Sequence, residues 1–132
     1  MRQNISSGAP WEPRIGYSRA VKFGDFVFVS GTTAVRGDGG VDSLDAYAQA
    51  KAVLGKIDAA LAQGGARLDH VVRTRVFLTD IGDAEAVGRA HGEAFSAIRP
   101  ACTFVEVSAL MTPDLKVEIE ADAIIPQPNQ GP

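Results

Sequence analysis

The chain has 132 residues, of which 45% are hydrophobic and 22% are charged, as is usual for one globular domain. Its 16 acidic and 13 basic residues give a net charge of −3, which argues against binding to nucleic acid or to an anionic membrane surface. Cys102 is the single cysteine, so no internal disulfide can form, and no apolar run reaches the length of a membrane helix. No export signal is visible at the N-terminus, and we expect a cytoplasmic protein with one domain over residues 1–132.

A β-hairpin is predicted near the N-terminus. Residues 20–23 and 26–29 are rich in β-branched and aromatic side chains, and the two-residue link Gly24-Asp25 suits a tight turn. Before it, residues 1–14 are expected to form an N-terminal arm that is loose over its first ten residues. Residues 126–132 include three prolines and are expected to form a flexible tail.

Two amphipathic helices are predicted in the middle of the chain, on either side of a strand over residues 71–78. In residues 42–63 the apolar side chains recur every three or four positions, with Asp42 or Ser43 as a cap and Gly64-Gly65 as the end. The second helix opens at Asp83 and stops before Pro100.

Two further strands are predicted after the second helix, over residues 102–109 and 115–125. We expect them to form a β-hairpin within residues 99–123 that walls a ligand cleft. The order of elements is then β-β-α-β-α-β-β, an α+β fold in which each helix crosses one face of the sheet.

The alternation of side chains along these strands separates two faces of the predicted sheet. An apolar face, where the helices should pack, collects Val72, Val76, Leu78, Val105, Val107, Val117, Ile119 and Ala121. The second face collects Arg73, Arg75, Phe77, Cys102, Phe104, Glu106, Glu118, Glu120 and Asp122, together with Phe26 and Phe28. Because an exposed cluster of aromatic side chains usually marks an interface, we expect other copies of the chain to cover the second face. The alternative is a solvated face with surface ion pairs.

Five segments resemble the RidA/YjgF family of reactive-intermediate deaminases, also labelled L-PSP endoribonucleases. They are Ile15-Gly16-Tyr17-Ser18-Arg19-Ala20-Val21, Phe28-Val29-Ser30-Gly31-Thr32, Val76-Phe77-Leu78-Thr79-Asp80-Ile81, Arg99-Pro100-Ala101 and Val117-Glu118-Ile119-Glu120-Ala121. The resemblance implies a chorismate-mutase-like fold, with a mixed sheet carrying two helices on one face. It also implies a homotrimer with ligand clefts between neighbouring subunits. In the deaminase branch, water hydrolyses enamines or imines to a 2-keto acid and ammonia.

The resemblance also assigns expected roles to individual residues. Tyr17 and Ser30 match residues that line the family's cleft, and Glu118 matches the glutamate that orients or activates the hydrolytic water. The family's deaminases follow Pro-Ala with an arginine that clamps the substrate carboxylate, whereas Cys102 stands at that position here. Gly88 replaces an asparagine that the deaminases often carry on the second helix.

Each candidate residue also has a plainer interpretation. Glu118 could act as a general acid or base, or could pair with Arg73 or Arg75 on a neighbouring strand. Cys102 could be a nucleophile, but a passive cleft-lining role is favoured because a lone cysteine on a strand is usually a small hydrophobe. Glu106 could be a second cleft carboxylate or an interior ion-pair partner of Arg75.

Two further ligand-binding candidates are left open. His91 lies on the apolar stripe of the second helix, where a hydrogen-bonded core histidine is the usual answer. It could instead reach the cleft and replace the missing arginine. Trp11 could stack on a ligand or hold the N-terminal arm in place.

These residues favour a small-molecule hydrolase acting on an imine, an enamine or a related carbonyl compound. The alternative is a non-catalytic metabolite-binding or regulatory trimer, and a weaker alternative is an endoribonuclease. No cofactor is implied, and two histidines and one cysteine without metal-ligand spacing make a metal site improbable. The expected partners are a small-molecule ligand and further copies of the same chain.

Overall fold

The computed structural model describes residues 1–128; residues 129–132, the end of the predicted tail, lie outside the described part. The elements in chain order are β1 (Arg2–Ile5), α1 (Trp11–Ile15), β2 (Ala20–Phe23), β3 (Phe26–Thr32), α2 (Ala46–Gln63), β4 (Val71–Leu78), α3 (Ala84–Phe95), β5 (Ala101–Glu106) and β6 (Val117–Ile124). The strands form one mixed sheet in the order β1-β2-β3-β6-β4-β5. The fold is α+β, as predicted.

The predicted N-terminal hairpin is confirmed. β2 and β3 pair antiparallel, with Ala20 opposite Val29 and Phe23 opposite Phe26. The turn between them contains Gly24, whose φ of 60° lies in the left-handed region that glycine adopts without steric cost.

The prediction of a loose N-terminal arm is wrong for β1 and α1. β1 pairs antiparallel with β2, and Ile5 is 2% exposed because its side chain enters the core. A strand of four residues with one buried side chain is too short to show the alternation by which strands are recognised in a sequence.

α2 and α3 match the two predicted helices, although α2 begins later than expected. Its cap is Asp45, whose side chain accepts a hydrogen bond from the backbone N–H of Ala48 at 2.8 Å, rather than Asp42 or Ser43. Asp42 instead forms an ion pair with Arg36 at 2.7 Å. α2 packs against β3, β6 and α3, so both long helices lie on one face of the sheet.

The predicted C-terminal hairpin is wrong. β5 does not pair with β6; it lies at the sheet edge, parallel to β4, and β6 lies between β3 and β4, antiparallel to both. Helix α3 returns the chain from β4 to a parallel neighbour, as expected for a crossover connection. β6 has a fully buried apolar face, which suits a strand with partners on both sides, whereas the mostly exposed side chains of β5 suit an edge.

The two predicted faces are confirmed for β4 and β6, apart from Val72, and are wrong for β5. Side chains at paired positions share a face, and Phe104 is paired with the fully buried Val76, so the side chains of Cys102, Phe104 and Glu106 lie on the helix side. Val105 lies on the opposite face and is 39% exposed. On an edge strand the alternation of apolar side chains does not show which face packs on the core. For this reason the predicted faces of β5 are reversed in the structure.

The face of the sheet away from the helices, here called the open face, carries both charged and aromatic side chains. β4 and β6 supply Arg73, Arg75, Phe77, Glu118, Glu120 and Asp122, and the hairpin supplies Phe23, Phe26 and Phe28. Phe26 and Phe28 are stacked, with ring centroids 6.2 Å apart, and both are about half exposed. Val72 is 44% exposed because a register irregularity between Val71 and Arg73 turns it away from the core.

Candidate functional site

Glu118 lies on β6 at the open face and is folded against Gly31 of β3. A Cβ atom added to Gly31 would lie 2.2 Å from Oε2 of Glu118, far inside any normal contact distance. The position therefore requires glycine if the carboxylate is to keep its place. On the other side of β6, Glu118 is paired in register with Phe77 of β4.

The carboxylate of Glu118 is half-buried and has no hydrogen bond or ion pair to any residue in the range 1–128. Burial raises its pKa; the positive charge of Arg19 opposes this rise, and the negative charge of Glu120 adds to it. Arg75, a predicted alternative partner, instead forms ion pairs with Glu120 at 3.2 Å and with Asp122 at 3.5 Å. Glu118 is thus a partly desolvated carboxylate whose oxygens are available to a ligand or a water molecule.

Arg19, which is not among the predicted site residues, acts on Glu118 through its charge and contacts Tyr17. Its Nη1 donates hydrogen bonds to the carbonyl oxygen of Gly31 at 3.0 Å and to Oγ1 of Thr32 at 2.9 Å. The guanidinium carbon lies 5.7 Å from the ring centroid of Tyr17, within the range of a cation–π contact. Its Nε is buried without a hydrogen-bond partner among the described residues.

Tyr17 and Ser30 line an open groove of about 510 Å³ bounded by β1, α1 and the β2–β3 hairpin. Ser30 Oγ donates to the carbonyl oxygen of Ser18 at 2.7 Å, and its backbone N–H donates to the carbonyl oxygen of Arg19 at 3.0 Å. The backbone pairing of β2 and β3 thus continues to Arg19, the residue before β2, and places Ser30 beside it. Of the predicted site residues, Tyr17 and Ser30 share this groove, and Glu118 lies against Gly31, the residue that follows Ser30.

Glu12 borders the same groove and is 5% exposed. Its carboxylate accepts hydrogen bonds from Ser6 Oγ at 2.8 Å, from Ser7 Oγ at 2.6 Å and from the backbone N–H of Ser7 at 3.2 Å. Burial alone would raise the pKa of Glu12, but the hydrogen bonds from Ser7 and Ser6 outweigh it and lower the pKa. This carboxylate ties the segment after β1 to α1 and fixes one wall of the groove.

His91 and Cys102 form a second group, on the helix side of the sheet. His91 Nε2 is 2.8 Å from Oγ1 of the fully buried Thr74, and its ring contacts Phe95 and Phe104, with centroids at 4.6 Å and 5.9 Å. Burial lowers the pKa of His91, which favours the neutral imidazole. Cys102 is paired in register with Thr74 and is exposed at the sheet edge. Within one chain, this group and Glu118 are on opposite faces.

Glu106 and Trp11 make contacts of other kinds. Glu106 accepts a hydrogen bond from the backbone N–H of Ile81 at 2.8 Å, so the predicted pairing with Arg75 is wrong. Trp11 is 53% exposed, with the guanidinium of Arg14 5.6 Å from its ring centroid. The N-terminal segment is held in place by the carboxylate of Glu12.

Neither a metal-binding cluster nor a membrane helix is found in the described part of the chain. Within residues 1–128, no three His, Cys, Asp or Glu side chains are grouped so that they could hold a metal ion. Over the same residues, no helix combines the length and apolar character that crossing a bilayer requires.

Comparison with known proteins identifies the family. The family model described as Endoribonuclease L-PSP matches residues 8–125. The chain belongs to the RidA/YjgF family. An uncharacterized protein of Streptomyces coelicolor is 40% identical over 121 residues, which cover 92% of this chain and 90% of the relative. A 2-iminobutanoate/2-iminopropanoate deaminase of Escherichia coli is 34% identical over 112 residues, which cover 82% of this chain and 86% of the relative.

A solved structure of the family supports the same assignment. Rv2704 of Mycobacterium tuberculosis, described as a member of the YjgF/YER057c/UK114 family, is 46% identical and superposes with a TM-score of 0.87. The match covers 95% of this chain and 100% of that one.

The RidA/YjgF segments contain two site residues that the sequence analysis quoted without assigning a role, Arg19 and Gly31. The predicted turn is enough to indicate the position of Arg19 beside Ser30. If Gly24-Asp25 is a two-residue link, counting outward from Phe23 and Phe26 pairs Arg19 with Ser30. The close approach of Glu118 to Gly31 had no such signal, because it depends on the insertion of β6 beside β3.

Proposed function

We propose that this protein hydrolyses small imines or enamines and that Glu118 activates the water. The observation that carries the proposal is the state of Glu118: a half-buried carboxylate, packed on Gly31 and unpaired among residues 1–128. A carboxylate whose pKa is raised by burial can take up and return a proton nearer to neutral pH, as general acid–base catalysis requires.

The proposed reaction consumes one water and releases one ammonia. As water adds to the carbon of the C=N bond, Glu118 accepts a proton from the water and returns it to the nitrogen, which gives a carbinolamine. A second proton passes from the hydroxyl group to the nitrogen, the C–N bond breaks, and a carbonyl compound and ammonia leave. No oxidant or reductant is needed.

The complete cleft is proposed to form between copies of the chain. One chain holds Tyr17, Ser30 and Glu118 at one end of the hairpin and His91 and Cys102 on the other side of the sheet, so it contains two separate half-sites. In a homotrimer of the type that the family resemblance implies, one half-site of each subunit would face the other half-site of its neighbour. The half-exposed phenylalanines of the open face favour such an assembly.

The substrate is proposed to lack a carboxylate at the Cys102 end. Cys102 stands where the family's deaminases carry the clamping arginine, and around it Thr74, Phe104 and a neutral His91 provide no fixed positive charge. A substrate carboxylate buried there would lose hydration without gaining an ion pair. A neutral imine would not incur this cost.

The test compares two substrates of similar shape, freshly generated 2-iminopropanoate, which is anionic, and its amide, which is neutral. Ammonia release with the native protein is measured against buffer. We expect acceleration of the amide at least about 10-fold greater than that of the carboxylate, and we expect Cys102→Arg to reverse the preference by restoring the bidentate clamp. No acceleration of either compound by the native protein would overturn the proposal.

The second candidate function is a metabolite-binding trimer without catalysis, and the replacement of the clamping arginine by Cys102 favours it. Thermal shift with small carboxylates and with neutral carbonyl compounds would detect binding, since a ligand that binds only the folded state raises Tm. Binding without ammonia release from any imine would favour this function over the hydrolase. The net charge of −3 argues against the ribonuclease activity named in the family description.

A further inference from the structure

Arg19 is held rigidly at the site, yet it makes no direct ion pair with Glu118 or any other residue in the described part of the chain. Its Nη1 is fixed by Gly31 and Thr32, and Thr32 Oγ1 in turn donates to the carbonyl oxygen of Ser30 at 2.7 Å. All of its hydrogen-bond acceptors are neutral groups. The positive charge is therefore positioned precisely by the hairpin but is not neutralised by a direct contact.

This arrangement prevents Arg19 from replacing the missing substrate clamp. A bidentate clamp needs two parallel N–H donors of the guanidinium, either from both Nη atoms or from Nε and one Nη. Here Nη1 is occupied by two acceptors, and Nε is buried where no ligand reaches it. Nη2 alone cannot complete a bidentate clamp, so Arg19 acts here chiefly through its charge.

Glu118 is the nearby group whose charged form the positive charge of Arg19 can stabilise. Gly31 is the shared neighbour of the two side chains: its carbonyl oxygen accepts from Arg19, and its Cα lies against the carboxylate of Glu118. We propose that Arg19 is a positioning residue that keeps Glu118 charged and folded against Gly31. This inference rests on the proposed function for its catalytic meaning, but its test does not need a substrate.

The other charged groups around Glu118 and Arg19 have partners of their own. Glu120, next on the same face of β6, pairs with Arg75 of β4, and Glu12 of α1 is satisfied by Ser6 and Ser7. Lys56 of α2 donates to the carbonyl oxygens of Thr33 and Val35 at 2.8 Å and 2.5 Å. The residue of β4 that faces Glu118 is the uncharged Phe77. Of the cations on this side of the sheet, which include Lys116 and Arg73, Arg19 is the one whose charge opposes the effect of burial on Glu118.

The experiment is an NMR titration of the glutamate side-chain carbons in the native chain, in Arg19→Gln and in Arg19→Lys, with the Glu118 signal assigned from Glu118→Gln. An opposite charge nearby lowers a carboxyl pKa, so Arg19→Gln should move the Glu118 midpoint upward by about one pH unit. Arg19→Lys, which keeps the charge, should move it less. Arg89→Gln is the matched control: Arg89 is exposed on α3, across the sheet, and its loss should leave the midpoint unchanged.

A second measurement uses the native side chain of Arg19 and does not depend on whether the Arg19 variants fold. The buried Nε–H of Arg19 should give a slowly exchanging signal whose chemical shift changes with pH at the midpoint of Glu118, and Glu118→Gln should abolish that change. An unchanged Glu118 midpoint in a folded Arg19→Gln variant would overturn the proposal. An Nε–H chemical shift that does not change as Glu118 titrates would also overturn the proposal. Failure of imine hydrolysis alone would bear on the proposed function and not on this inference.

Discussion

Gly31 and Glu118 are packed so closely that a single methyl group on Gly31 would come within 2.2 Å of the carboxylate oxygen Oε2. The contact joins two strands, β3 and β6, that are far apart in sequence and adjacent in the sheet. It links the hairpin that carries Tyr17 and Ser30 to the strand that carries the proposed water-activating group. The geometry of the candidate site therefore depends on one residue without a side chain.

Gly31→Ala should reduce imine hydrolysis without unfolding the protein. The far end of the Glu118 side chain can swing away from the new methyl group, so the cost to stability should stay below about 1 kcal/mol. The displaced carboxylate should lower kcat by about 10- to 100-fold, as misplacement of a catalytic group by about 1 Å commonly does. Steady-state rates and urea unfolding measure the two effects.

The matched control for Gly31→Ala is Gly37→Ala. Gly37 has no atom within 4 Å of the position that its Cβ would take, so this change should leave the rate unaltered. A Gly31→Ala protein with native activity would show that the position of Glu118 against the glycine is not needed.

Glu12→Gln should destabilise the protein because it weakens the contacts with Ser6 and Ser7 inside the fold. We expect a loss of about 1–3 kcal/mol in the free energy of unfolding at pH 7, measured by urea denaturation. Asp58→Asn, which changes an exposed carboxylate on α2, is the control and should have little effect. Equal stability of the Glu12→Gln variant and the native chain would contradict the structural role given to Glu12.

The contribution of Glu12 should also depend on pH. Its pKa is lowered in the folded state, so the unfolded chain binds its proton more readily, and stability rises with pH across the interval between the two pKa values. The stabilisation is complete above the unfolded pKa of about 4.3 and is lost as the pH falls through the folded value. The difference in free energy of unfolding between the native chain and Glu12→Gln should therefore shrink on acidification. A difference that grows would contradict the lowered pKa of Glu12.

Phe28→Lys should dissociate the proposed trimer while keeping the subunit folded. Phe28 is 47% exposed on the open face, and its register partner on β6 is Asp122, so a lysine there can form an ion pair within the chain. The buried charge would oppose contact with a second copy. Sedimentation should show a trimer for the native chain and a monomer for the variant.

Leu44→Asp is the matched control for Phe28→Lys. Leu44 is 61% exposed just before α2, away from the open face, so its replacement should leave the trimer intact. A native chain that sediments as a monomer would contradict the proposal that two half-sites meet between subunits.

The sequence predicts the parts of the fold that local patterns determine. The hairpin around Gly24 and the two amphipathic helices follow from turn chemistry and apolar spacing, and the structure confirms them. The order of the C-terminal strands could not be predicted in this way. β5 and β6 are adjacent in sequence, which suggests a hairpin, but the choice between a hairpin and separate positions depends on which neighbours bury each strand.

The candidate site shows the same difference between what local patterns predict and what strand order decides. Family motifs point to Glu118 and Ser30, and Glu118 packs on Gly31, the residue that follows Ser30; a shared site at this end of the hairpin stays a prediction. The alternation of apolar side chains along β5 predicts that Cys102 shares a face with Glu118, but β5 is an edge strand and its pairing with β4 puts Cys102 on the other face. Arg19 was overlooked because its effect arises from the hairpin register and not from a motif.

The most direct test of the central claim compares the initial rates of imine hydrolysis for the native protein, Glu118→Gln and Glu120→Gln. Glu120 is the nearest carboxylate on the same face of β6, but it is paired with Arg75, so its replacement is a change of equal size without the proposed role. We predict that Glu118→Gln lowers kcat by about 100-fold or more, in the range of general acid–base catalysis, while Glu120→Gln stays within about threefold of native. Equal rates for Glu118→Gln and the native protein would contradict the account.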